Sequence, residues 1–243
     1  NITMKGVNIT NSAGPAINIQ SSKKGTINIV SGTTNTLVDG VTYSTSTEDQ
    51  KGTFFSEGQL NFVGTGILNV TGNNRHGIVA DDYIAISQAN IVVKSAVKDG
   101  IHSNDYFLMD NGNLTITSSV DGIVAEEGYV TLNGGTINVN SVDDGISAPY
   151  EGTDANITPY VLIKGGKITV NTSGEKGNAL KSQSYTTIGT TDAINLNVSG
   201  KGAKGIKTGG DFTLNAGTVK ITNSGAAYYN TTDADIVAPA GIN

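Results

Sequence analysis

The stretch that decides the fold reads His76-Gly-Ile-Val-Ala-Asp-Asp-Tyr83, then Asp99-Gly-Ile-His-Ser-Asn-Asp-Tyr106, then Asp121-Gly-Ile-Val-Ala-Glu-Glu-Gly-Tyr129, then Asp144-Gly-Ile-Ser-Ala148. Its glycines stand at 77, 100, 122 and 145, so the phrase returns every 22–23 residues. Self-similarity at such a period marks a repeat architecture. Fainter copies follow at Asn178-Ala-Leu-Lys-Ser182 and Lys204-Gly-Ile-Lys-Thr208, and a weak one precedes at Thr53-Phe-Phe-Ser-Glu57.

Two further columns keep the same beat. One holds Ile84/Ile86, Phe107/Met109, Val130/Leu132, Val161/Ile163 and Phe212/Leu214. The other holds Leu68/Val70, Ile91/Val93, Leu114/Ile116, Ile137/Val139, Ile168/Val170, Leu196/Val198 and Val219/Ile221. Apolar residues two apart have the period of a strand. Three short strands per repeat predict a parallel β-helix, in which each coil pairs with the next at ~4.8 Å and Ile stacks on Ile along the axis. Ile123 and Val139 are expected inward. The stretch from Val7 to Val30 reads as a first coil.

Composition agrees. The 243 residues include 32 Gly, 30 Thr and 26 Asn, and 25 Ile against 10 Leu. β-branched residues with Gly and Asn turns suit an all-β chain. No apolar run approaches the ~18–20 residues of a membrane span. The net charge of −6 disfavours nucleic acid, which needs a basic patch. Without Cys there are no disulfides, thiolate catalysis or zinc–thiolate sites. A start at Asn1 with no signal-like apolar region reads as a mature or trimmed secreted chain. One domain over 1–243 is expected, with loops at 41–52, 149–159 and 172–177, and a tail from 226 that loses the period and caps the rod.

With Ile inward in Asp-Gly-Ile-x-Ala, the glycines and the x column are expected outward, the glycines leaving a shallow groove. The x column is Phe55, Val79, His102, Val124, Ser147, Lys181 and Lys207. Acids recur at the near end (Asp99, Asp121, Asp143, Asp144) and at the far end (Asp81, Asp82, Asp105, Glu126), where Tyr83, Tyr106, Tyr129, Tyr160 and Tyr185 also fall in register. Carboxylates ~5 Å apart repel by about 3 kcal/mol at an effective dielectric near 20. Calcium, which takes 6–8 oxygens in irregular geometry, relieves that repulsion. These eight acids are the candidate calcium ligands. The alternative is that the aspartates cap turn N–H groups. His102, Ser147, Lys181 and Lys207 are candidate sugar contacts, the lysines for uronate carboxylates. Tyr106 and Tyr129 either offer faces to sugar rings or stack on their neighbours.

These phrases, with Gly6-Val-Asn-Ile-Thr-Asn-Ser-Ala-Gly-Pro-Ala16 and Asn35-Thr-Leu-Val-Asp-Gly40, resemble bacterial carbohydrate-binding β-helix proteins, a family long catalogued as a domain of unknown function and similar in fold to pectate-lyase-type polysaccharide lyases. The resemblance covers nearly the whole chain. It implies a right-handed β-helix, a secreted or cell-surface bacterial protein, bound calcium, and affinity for cellulose or acidic plant polysaccharide. Lyase-like calcium sites would map to Asp99, Asp121, Asp143 and Asp144; His76 and Asn178 depart from that pattern.

The leading expectation is a monomeric, non-catalytic module that binds calcium and cell-wall polysaccharide, cellulose or polygalacturonate. The runner-up is a calcium-dependent lyase, with Lys181 or Lys207 as the base that removes the proton beside the uronate carboxylate. These lysines are expected two or more coils beyond Asp144, which weakens the enzyme case. A structural fibre or adhesin is the third class. The polysaccharide is expected along the outward face of the Asp-Gly-Ile strands, beside the 149–159 loop.

Overall fold

In a computed structural model, residues 1–150 and 152–243 are described, and three nine-stranded parallel sheets stack into a β-solenoid of nine coils. There is no helix among the described residues, hence none long and apolar enough to cross a membrane. Sheet 1 carries strands such as Ile84–Ile86, Phe107–Met109 and Val130–Leu132, and sheet 2 Ala89–Ser95, Gly112–Ile116 and Thr136–Ser141. Sheet 3 carries the repeated phrase, as Gly52–Ser56, His76–Ala80, Ile101–Ser103, Ile123–Ala125, Ile146–Ala148, Asn178–Ser182 and Lys204–Thr208 in coils 2 to 8.

The register follows the repeat. Phe54 pairs with Ile78, Ile78 with Ile101, Ile101 with Ile123 and Ile123 with Ile146, steps of 24, 23, 22 and 23 residues. The next step, Ile146 to Leu180, is 34 residues. The loop between Ala148 and Val161 lengthens that turn without adding a coil; of it, Glu151 lies outside the described residues. All these apolar residues are fully buried, as are Ile123 and Val139. An apolar column buried from Phe54 to Ile206 helps hold the rod together, since each such side chain contributes about 1.5–3 kcal/mol by leaving water.

Four expectations need correction. The glycines do not open an outward groove. A Cβ on Gly122 would meet Val139 Cγ1 at 2.3 Å and the Gly145 carbonyl oxygen at 2.2 Å. These buried glycines make room at the corner where the inward side chains of sheet 2 meet sheet 3. The pair Leu196/Val198 is out by two residues: Ile168 and Val170 pair with Ile194 and Leu196. Three alternating apolar residues in that strand leave a two-residue slip invisible in sequence. The tail does more than cap. After an antiparallel hairpin, Tyr228–Asn230 with Asp235–Val237, it rejoins sheet 3 through Ala240–Ile242. Loop bounds shift slightly, since Gly52 begins one strand and Thr172 ends another.

Candidate functional site

The residue before each sheet 3 glycine sits at the corner entering that sheet. Backbone N–H groups tie these positions together coil by coil: Gly77 to the Asp99 carbonyl, Gly100 to Asp121, Gly122 to Asp144 and Gly145 to Asn178, at 2.7–3.0 Å. The column therefore runs His76, Asp99, Asp121, Asp144, Asn178. One position earlier it runs Arg75, Lys98, Val120, Asp143. Each coil thus brings its neighbour's charge within contact distance.

Coils 3 and 4 hold the first cluster. Asp99 Oδ2 lies 2.7 Å from His102 Nδ1 and 3.1 Å from His76 Nδ1. The second contact is out of line for a hydrogen bond, and His76 Nδ1 is buried without a partner. His102 Nε2 meets Glu126 Oε2 at 3.0 Å. Burial opposes the charge on Asp99, yet the two imidazoles pull its pKa down to about 2. Burial holds His76 below its usual value. For His102 burial acts the same way, but Asp99 and Glu126 outweigh it and raise the imidazole.

Coils 5 and 6 hold the second. Carboxylate oxygens of Asp121, Asp143 and Asp144 lie within 4.8 Å of one another. Asp121 Oδ1 accepts the Asp144 N–H at 2.7 Å. Asp144 Oδ1 accepts the backbone and side-chain N–H of Asn178 at 3.0 and 2.7 Å. The capping role weighed from sequence is therefore present at both. It leaves the charges crowded: burial first, then Asp99, Asp144 and Asp143, push Asp121 up to about 7. Asp143 is raised by burial and by Asp144.

Lys181 is the counterion, with Nζ 2.8 Å from Asp144 Oδ2. It was expected two or more coils away, but it pairs directly with Ser147 on the next coil, because the long 149–159 turn accounts for the sequence gap. Burial alone would lower its pKa; Asp144 outweighs this and raises it. Ser147 is 2% exposed, too covered to touch a ligand, as Lys181 reaches back over its coil. Lys207 is exposed in the same column.

Of the far-end acids Glu126 joins the first cluster through His102, and the others stand apart from both. Asp81 pairs with Lys51 at 2.6 Å. Asp82 accepts a hydrogen bond from Gln59. Asp105 is raised to about 6 by burial and by Asp82 and Glu127. Beside them the tyrosine rings stack at 4.5, 5.0, 4.6 and 4.9 Å from Tyr83 to Tyr185, tilted by 10° or less. Both faces of Tyr106 and Tyr129 are covered by their neighbours, so no sugar ring can stack there.

Above the first cluster, and reaching the second through Asp121, lies an open cleft of about 560 Å³. Lys51, Arg75 and Lys98 line it toward coils 2–4, and Asp121 toward coil 5, with Pro149 at its edge. These three cations were missed as site residues. Their signal was present, since Arg75 and Lys98 each directly precede a member of the near-end column. The cleft is polarised along the rod, cationic at one end and anionic at the other.

The chain is thus a three-sheet parallel β-solenoid with a polarised cleft along one face. The chain belongs to the carbohydrate-binding domain-containing protein family, whose match spans residues 1–238. A solved structure, described as that of the polysaccharide lyase-like protein from C. thermocellum, gadolinium derivative, is 23% identical, with a TM-score of 0.55 over 90% of this chain and 73% of that one. That likeness is one of fold. No curated protein matches the chain.

Proposed function

We propose that the chain is a non-catalytic module that binds acidic plant polysaccharide of the polygalacturonate kind, with calcium held by Asp121, Asp143 and Asp144. The observation that carries this is the carboxylate trio, paired to Lys181 and reaching the anionic end of the cleft through Asp121. Three carboxylates and one ammonium leave two negative charges, which one divalent ion neutralises. The donor set fits a hard cation, because it is all oxygen. Asp144 is largely engaged, so Asp143 and the second oxygen of Asp121 are the available donors. Water and uronate oxygens would complete the 6–8 that calcium takes. Arg75 and Lys98 would meet further carboxylates of the same chain directly. Membership of a carbohydrate-binding family supports the ligand class. A cell-wall ligand supports a secreted or cell-surface address.

Polygalacturonate is favoured over cellulose because the tyrosine faces, the natural platform for a neutral glucan, are already stacked. A lyase reading has one observation in its favour: Lys181 lies against the acid trio. As a base it is poorly prepared, because Asp144 holds it as the ammonium. A pull-down on insoluble pectin and cellulose, with and without chelator, tests both readings. Retention on pectin that chelator weakens, with no ultraviolet absorbance from unsaturated uronides, is expected. Retention on cellulose alone would overturn the ligand, and release of unsaturated product would establish the lyase.

A further inference from the structure

The chain has only two histidines, and the fold places both against one carboxylate. Their rings lie 4.5 Å apart on adjacent coils. Donor atoms of His76, Asp99 and His102 fall within 4.8 Å of one another. His76 is 9% exposed, and its Nδ1 has no hydrogen-bond partner. Leaving such an atom buried and unpaired costs about 1–3 kcal/mol, so a ligand at this point has something to satisfy. His76 Nδ1 lies 3.1 Å from Asp99 Oδ2, and His102 Nδ1 lies 2.7 Å from the same oxygen. Donors around an ion with bonds of ~2.0–2.1 Å stand about 2.9–3.3 Å apart, and the two nitrogen–oxygen distances already lie close to that range.

We propose that His76, Asp99 and His102 form a binding site for a transition-metal ion of the zinc class, distinct from the all-oxygen trio of Asp121, Asp143 and Asp144. Two imidazoles and a carboxylate suit zinc, nickel or cobalt; calcium takes oxygen ligands and has no use for the imidazoles. The second nitrogen of His102 is already held by Glu126 at 3.0 Å. A carboxylate on the outer nitrogen is the usual support of a metal-bound histidine, fixing its tautomer and orientation. The ion would displace the proton now shared by His102 and Asp99. The remaining coordination positions would face the cleft and be filled by water or a ligand oxygen. Arg75 and Lys98, lining the same cleft, oppose the added charge and limit the affinity.

The site stands apart from the polysaccharide reading, since it is tested with the metal alone. Tag-free, chelator-stripped protein is titrated with Zn²⁺, and the ring C–H signals of its two histidines are followed by NMR. Both signals are expected to move together and saturate at one ion per chain, while excess Ca²⁺ leaves them in place. His76→Gln and His102→Gln should each weaken zinc binding at least tenfold, and Asp192→Asn, outside the cleft, should not. Histidine signals that ignore Zn²⁺, or that respond equally to Ca²⁺, would overturn the site. So would histidine variants that bind zinc as the parent does. If a variant fails to fold, the NMR titration of the unaltered protein decides.

Discussion

Two ladders run along the same stack of strands and behave in opposite ways. At the exit from sheet 3, five tyrosines stack at 4.5–5.0 Å. At the entry to sheet 3, carboxylates repeat on coils 4, 5 and 6. The same coil spacing produces both. For aromatic rings the repetition is favourable, each pair adding about 0.5–1.5 kcal/mol. For like charges it is unfavourable, about 3 kcal/mol per pair at 5 Å and an effective dielectric near 20, and Asp121 is pushed up to about 7. The tyrosine ladder can therefore run uninterrupted. The acid ladder is broken on both sides, by His76 on coil 3 and by Asn178 with Lys181 on coil 7. A solenoid gains stability where its repeat is monotonous and acquires chemistry where monotony is unfavourable.

Substitutions can break this comparison at three levels. The largest effect belongs to the shared core beneath both ladders. Ile123→Ala should destabilise by about 2–5 kcal/mol, as a large-to-small change at a fully buried site, measured by denaturant unfolding. An effect below ~1 kcal/mol would mean the coil collapses around the gap. Next comes the tyrosine ladder. Tyr106→Ala removes two stacked pairs and should cost about 1–3 kcal/mol, while leaving pectin retention unchanged. Loss of retention would return the tyrosines to the binding face. The smallest stability effect belongs to the acid ladder, where its sign separates the two: Asp121→Asn should leave metal-free protein as stable or more stable at pH 7.5.

The fold was legible in sequence because its cause is periodic. Ile78, Ile101, Ile123 and Ile146 announce one column, and alternation within each strand announces the others. Where alternation continues, as at Ile194, Leu196 and Val198, the register became ambiguous by one period. The acid trio was also legible, since Asp121, Asp143 and Asp144 are adjacent in the repeat. Asp99 was assigned with them, and only the folded structure places it between two imidazoles. The position of Lys181 was misread because a long turn counts in sequence and not along the axis. The glycines were misread because absence of a side chain looks the same whether the space belongs to a ligand or to Val139.

The central claim is that the acid ladder is unstable alone and needs a cation. Asp121 titrates near 3.8 when unfolded and about 7 when folded, so the native state binds the extra proton. Stability contributed by that proton is present at low pH and lost as pH rises from about 4 to 7. Asp105, raised to about 6, acts the same way over the lower part of that window. Calcium that binds only the native state at a hundredfold excess over Kd would restore about 2.7 kcal/mol. The decisive measurement is melting temperature against pH, from 4 to 8, in chelator and in calcium, for the parent and Asp121→Asn. The account predicts a falling curve in chelator, recovery in calcium above pH 6, and a flatter, calcium-insensitive curve for the variant. A parent curve that is flat with pH and identical in chelator and calcium would contradict it.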